Sequence, residues 1–314
     1  MQAAVLLAIA ASFCTATASL AQRQGAKSVQ TTGGFDARLL FRLARQPVWL
    51  LGIVSMIGGF AFQLTALRYG PLALVQPILS LELLLVFGFL AFAGRRRTRI
   101  KPRDWLGAVA MSAGVAVFLR LASASGGRLH AAGSSWLLAG LVTLGVVLAA
   151  VAVAFRMGNR PGATPSRRAA LLGSATGIAW GFVAAVIKEL SSHLGGGLGA
   201  VFSTWSLYVL LVVGAATMLL ASHALAAGPL AASQPGFTIL DPLAASLLGI
   251  FLFGEQIQTG PWDLAGEALA VALVVAGAAT LSRSCFIRGE LADPSCLPAG
   301  IQAQAASRQR AASR

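Results

Sequence analysis

Charge is what this sequence has least of. Asp, Glu, Lys and Arg make up 11% of its 314 residues, against 57% hydrophobic residues and a mean hydropathy of +0.77. A soluble surface needs roughly a quarter of its residues charged, so a water-soluble globule is excluded. Histidine and cysteine are nearly as scarce, at three each. Cys14 lies in an apolar run, and Cys285 and Cys296 have no histidine close by in sequence. That spacing supports neither a disulfide nor a zinc site. Gly195-Gly196-Gly197 lacks the Lys-Ser/Thr of a phosphate-binding loop, and no Ser-His-Asp arrangement or nucleotide motif is present. No enzymatic activity, metal or cofactor is therefore expected.

What the chain does have is long apolar runs. Nine are long enough to cross a hydrocarbon core of about 30 Å at 1.5 Å per residue, or nearly so: 1–21, 47–67, 71–93, 105–121, 135–155, 169–190, 201–225, 229–253 and 261–281. The expected class is an all-α polytopic membrane helix bundle. Residues 1–282 form its transmembrane domain, and 283–314, rich in Ala, Gln, Ser and Arg, form a disordered tail. The first run has no preceding Lys or Arg; Arg23 and Lys27 follow it, so it reads as a retained span and not as a cleaved signal peptide.

The basic residues are sorted rather than scattered. Of the 24 Lys and Arg, 20 lie in 22–46, 94–104, 156–168 and the tail. A nine-span chain puts these segments on one side, and by the positive-inside rule that side is the cytoplasm, with the N-terminus outside and the C-terminus inside. The block Arg95-Arg96-Arg97-Thr98-Arg99 has no interleaved aromatics or recognisable module, so the net charge of +14 does not indicate nucleic acid. The expected partners are the lipid bilayer and a small-molecule or cation substrate, and the sequence is compatible with a chain acting singly or as a homodimer.

One stretch occurs twice. Gly70-Pro71-Leu72-Ala73-Leu74-Val75-Gln76-Pro77 matches Gly228-Pro229-Leu230-Ala231-Ala232-Ser233-Gln234-Pro235 at six of eight positions. Asp104-Trp105-Leu106-Gly107 likewise answers Asp263-Leu264-Ala265-Gly266. With the charge-based topology the two copies run antiparallel, giving an inverted repeat of four plus five spans, 1–121 and 135–282. Inverted repeats typify secondary transporters, which bind substrate near the midplane between the halves.

An ionisable group at that depth costs at least about 2.5–3.5 kcal/mol on insertion scales and usually marks a transport path. Glu82 and Asp241 lie about 18–20 Å along their spans at 1.5 Å per residue, close to the midplane. Gln234, Thr238 and Asp241 stand at i, i+4 and i+7, one polar stripe on an apolar helix. Pro235, Gly236 and Pro242 beside them are expected to break this helix and free carbonyls for a ligand; alternatively Asp241 pairs with His223 or Lys188 and Pro242 is a plain kink. The face of Glu82 is otherwise apolar. Gln76 lies in the first repeat copy, and Gln63 and His223 lie on the spans just before the two copies; all three are candidates to line the path. Lys188 and Glu189 are expected at an interface, and Glu255, Asp263 and Glu267 at the start of the last span, as capping acids or an acidic vestibule. Gly173, Gly177 and Gly181 bare one face of the sixth span for close packing.

These features resemble the drug/metabolite transporter superfamily (EamA-like). The resemblance rests on the 47–67 and 71–93 hairpin, the charged loop after it, the span from Gly107 to Gly114, and the stretches Trp49-Leu50-Leu51-Gly52, Gly59-Phe60-Ala61-Phe62-Gln63 and Val75-Gln76-Pro77. That superfamily typically has two inverted sets of five helices. Nine spans follow if the first set lacks its second helix, replaced here by the basic segment 22–46, a layout closest to the NIPA-type magnesium transporter family. The resemblance implies transport of a small solute by alternating access, with proton coupling as one mode. A NIPA-like divalent cation (magnesium) transporter and a non-transporting membrane scaffold are the competing readings.

Topology follows most directly from the charges. A reporter fused after Arg314 is expected to read cytoplasmic and one fused before Met1 external; an external C-terminus would contradict the charge assignment.

Overall fold

The computed structural model describes residues 2–28, 46–92, 101–121, 127–158, 165–227, 230–255 and 261–282. Every regular element among them is helical. In order these are α1 (Gln2–Ser28), α2 (Pro47–Tyr69), α3 (Leu72–Leu79), α4 (Glu82–Phe92), α5 (Pro102–Leu121) and α6 (Gly133–Gly158). There follow α7 (Pro165–Ser192), a 3-10 turn (His193–Gly196), α8 (Gly197–Ser203), α9 (Trp205–Ala226), α10 (Leu230–Phe253) and α11 (Pro261–Ser282).

Six segments are long and apolar enough to cross a membrane: 2–21, 47–69, 72–89, 133–156, 167–196 and 205–224. Two shorter apolar stretches, Ile239–Phe253 and Ala268–Leu281, lie in α10 and α11. This is the composition of a helical membrane bundle. The nine spans expected above reduce to six by these criteria among the described residues. Side chains in parts of α5, α10 and α11 lie outside the described residues, so the expected spans 105–121, 229–253 and 261–281 are not counted among the six. The seventh expected span begins as two pieces, because Thr204 is extended between α8 and α9. The tail call of disorder, at 283–314, and most of the basic segments fall outside the described residues.

Small residues set the packing. On α1, Ala4, Ala8 and Ala11 are fully buried, and the α2 backbone comes in beside them at Gly59, where an added Cβ would stand 3.0 Å from the Thr15 methyl group. Helices α5 and α11 meet through Gly107, Gly114 and Gly277; a Cβ on Gly114 would lie 2.7 Å from the Ala270 carbonyl oxygen. Helix α7 is the centre of the bundle, touching α6, α9 and α10 along its length. Its Gly173, Gly177 and Gly181 face α10 as the spacing suggests: Cβ atoms there would run into the backbone at Ser233, Gly236 and Ala245. Without a hydrophobic driving force inside lipid, such close backbone approach is what holds helices together. Helices α6 and α9 lie at the periphery and turn Leu141, Val142, Leu211, Val212 and Leu219 outward, an apolar surface suited to lipid.

The helix break is not where the prolines of the second repeat copy suggest. α10 runs unbroken through Pro235, Gly236 and Pro242, because α7 lies against its backbone and leaves no room for the ladder to open. The interruption is in the first copy, at Ser80-Leu81 between α3 and α4. Pro77 has no N–H and its ring opposes the carbonyl four residues back. The Leu81 N–H then donates to Ile78 at 3.0 Å, tightening the turn, and the Ser80 hydroxyl donates to the Pro77 carbonyl at 2.6 Å. Ser12 of α1 supports the break from outside, its hydroxyl 3.0 Å from the Ile78 carbonyl.

Gly177→Leu is expected to abolish folded yield in detergent by forcing α7 off α10. Gly145→Leu on α6 makes the same chemical change where no atom lies within 4 Å and should leave the yield unchanged. Equal yields would show that the α7 glycine face is not a packing face.

Candidate functional site

The break and the unbroken helix meet at one cavity. It has a volume of about 530 Å³ and is walled by α1, α2, α3, α4, α7 and α10, with Ala278 of α11 at its edge. Its polar lining comes from Thr15, Ser19, Gln63, Gln76, Ser80, Glu82 and Asp241; Leu79, Leu83, Val86, Trp180, Val183, Ile187 and Phe237 supply most of the apolar surface. Four residues singled out from the sequence thus share a single space: Gln63, Gln76, Glu82 and Asp241.

Glu82 opens α4, where the first-turn N–H groups favour a carboxylate. Its Oε1 accepts a hydrogen bond of 2.7 Å from the Ser19 hydroxyl. The polar company that its own helix face lacks is therefore provided by α1. Asp241 has no such donor: its Oδ1 is buried and without a hydrogen-bond partner. The same holds for Gln76 Nε2, on a residue only 6% exposed. Leaving a buried polar atom unsatisfied costs about 1–3 kcal/mol, and among the described residues two such atoms lie on this one cavity.

The remaining expectations divide. His223 does not line the cavity; it sits exposed on α9, its Nδ1 2.8 Å from the Leu219 carbonyl oxygen of its own helix. The side chains of Gln234 and Thr238 lie outside the described residues. Neither His223 nor Lys188 pairs with Asp241. The sequence reading passed over Ser19, Thr15 and Trp180, and the only available signal for the two hydroxyls was their polarity on the small-residue first helix.

Comparison with known proteins places the chain beside one relative. An uncharacterized protein of Corynebacterium glutamicum is 25% identical over 287 residues, covering 90% of this chain and 95% of its own length. No family model matches, and no solved structure matches.

Next to the cavity, beyond Ile187, lies a closed cluster. Lys188 and Glu255 are each 3% exposed and form a direct ion pair. Glu255 Oε1 and Oε2 also accept from the backbone N–H groups of Leu72 and Ala73, at 2.7 and 3.2 Å. Glu255 thus caps α3, not the last helix as its sequence position suggests. It can do so because Gly254, at φ +64°, turns the chain back, and because Gly249 has no side chain to occupy the space of the carboxylate. The Lys188 ammonium lies 4.8 Å from the Phe253 ring centroid, a cation–π distance. Glu189 is also buried and points elsewhere, accepting from Trp136 Nε1 at 3.3 Å and lying 3.0 Å from His130 Nδ1. The side chains of Asp263 and Glu267 lie outside the described residues.

Removing one partner of a buried ion pair costs about 3–5 kcal/mol, mostly by stranding the other charge. Lys188→Met and Glu255→Gln are each expected to lower the melting temperature in detergent, and the double variant to lose less than the sum of the two. Strictly additive losses would show that the charges do not act as a pair.

Proposed function

We propose that this chain is a secondary transporter of the drug/metabolite type, moving a small solute across the membrane by alternating access, with the cavity as its substrate site. The observation that carries the reading is the meeting of Glu82 and Asp241 in one water-sized-to-ligand-sized space, with partnerless polar atoms beside them. Acids at membrane depth usually serve a substrate or proton path, and about 530 Å³ falls within the range of small-molecule sites. The second copy of the Gly-Pro-Leu-Ala repeat leads into α10, which bears Asp241, and the first leads into α3, which ends just before Glu82. That relation supports an inverted repeat of four plus five helices around the cavity, with the N-terminus outside and the C-terminus cytoplasmic in the cell membrane. The resemblance to the EamA-like superfamily points the same way.

In this reading Asp241 holds substrate or proton, and Glu82, already hydrogen-bonded by Ser19, acts in coupling. Gln63 and Gln76 orient the solute. Two carboxylates in one cavity also favour a second reading, a NIPA-like magnesium transporter. Its weakness is ligand count: among the described residues no group of three or more His, Cys, Asp or Glu is placed to hold a metal ion.

Asp241→Asn keeps volume and hydrogen-bonding capacity but removes the charge. In proteoliposomes the variant is expected to insert normally and lose at least tenfold in solute flux, equivalent to about 1.4 kcal/mol. Glu82→Gln should change the pH dependence of flux more than the choice of solute. Full transport by Asp241→Asn would sink the site assignment, and loss of magnesium flux alone would favour the second reading.

A further inference from the structure

We infer that the ligand of this cavity is a small, singly charged amine that also carries a hydroxyl group and an apolar body, the chemistry of an amphipathic amino alcohol. The inference rests on the reading of the cavity as a substrate site and specifies what that site takes.

Three features of the lining converge on it. The first is sign. The described lining carries Glu82 and Asp241 but no Lys, Arg or His, so an anion would enter against two carboxylates with nothing to neutralise it. The second is the pair of partnerless atoms. Glu82 already has the Ser19 hydroxyl, which leaves Asp241 Oδ1 as the acceptor still lacking a donor, and a protonated amine supplies one. Gln76 Nε2 is a donor lacking an acceptor, on a side chain 94% buried by its 6% exposure. A hydroxyl satisfies it, and because a hydroxyl both donates and accepts, it does so whichever way the amide is turned. The third is the apolar remainder. Trp180, Phe237, Val183 and Ile187 offer a hydrated inorganic ion no acceptor and little polar surface, but they match a hydrocarbon body, and an aromatic face attracts an ammonium group.

The test uses the purified full chain in nanodiscs and phenylalaninol as the probe, with two analogues that each lack one group: 2-phenylethylamine without the hydroxyl and 3-phenylpropanol without the amine. Calorimetric binding at neutral pH is expected for phenylalaninol, weakened about fivefold or more for 2-phenylethylamine and at least tenfold for 3-phenylpropanol. Asp241→Asn should bring phenylalaninol down to the level of the neutral alcohol, and Gln76→Leu should erase its advantage over 2-phenylethylamine. The analogue series needs no variant, so a misfolded Asp241→Asn does not rescue the idea. No binding of phenylalaninol, equal binding of the neutral alcohol, or displacement of the amine by millimolar magnesium through Asp241 would each overturn it. Binding in the expected order without flux in proteoliposomes would leave the ligand class standing and remove the transport reading. Asp241-dependent flux of another solute without amine binding would do the reverse.

Discussion

The approach of α7 to α10 along Gly173, Gly177 and Gly181 determines where one side of the cavity wall stands. With backbones this close, Trp180, Val183 and Ile187 on α7 and Phe237, Asp241 and Pro242 on α10 become neighbours around one space. The same contact keeps α10 straight. A helix carrying two prolines and a glycine within eight residues would ordinarily bend, but a second backbone pressed along it removes the room to do so. The helix is interrupted only in the other copy, just after Pro77, where the Ser12 hydroxyl of α1 donates to the Ile78 carbonyl.

That asymmetry has a chemical consequence. In one half the broken segment places Glu82 at the start of a new helix, with its N-terminal field and the Ser19 hydroxyl to stabilise charge. In the other half Asp241 lies inside a continuous helix whose N–H groups are already committed to the ladder. Two acids on one cavity thus have different surroundings, Glu82 hydrogen-bonded by Ser19 and Asp241 Oδ1 without a partner among the described residues. The Lys188–Glu255 cluster adds a third arrangement, in which a buried acid is fully matched by an ammonium and two backbone donors and so belongs to the architecture and not to the cavity.

Much of this was legible in the sequence, and the limits are physical. Low charge with long apolar runs determined the helical membrane class, since continuous apolar runs of about twenty residues satisfy their backbone in lipid as helices, whereas a β-barrel needs short strands of alternating polarity. The repeat could be read directly from the sequence, and the four-residue glycine spacing marked the packing face of α7, because helical periodicity is a local property. What only the tertiary structure decided was every relation between helices. Gln63 joins the two acids while His223 does not, although both lie toward the end of the span before a repeat copy. Glu255 caps a helix that begins 183 residues earlier in the chain. Ser19, on an unremarked alanine-rich helix, completes Glu82. Periodicity tells which residues share a face of one helix, but the partner that face meets depends on rotation and crossing set by close backbone contact, and those are settled only when all the helices are packed together.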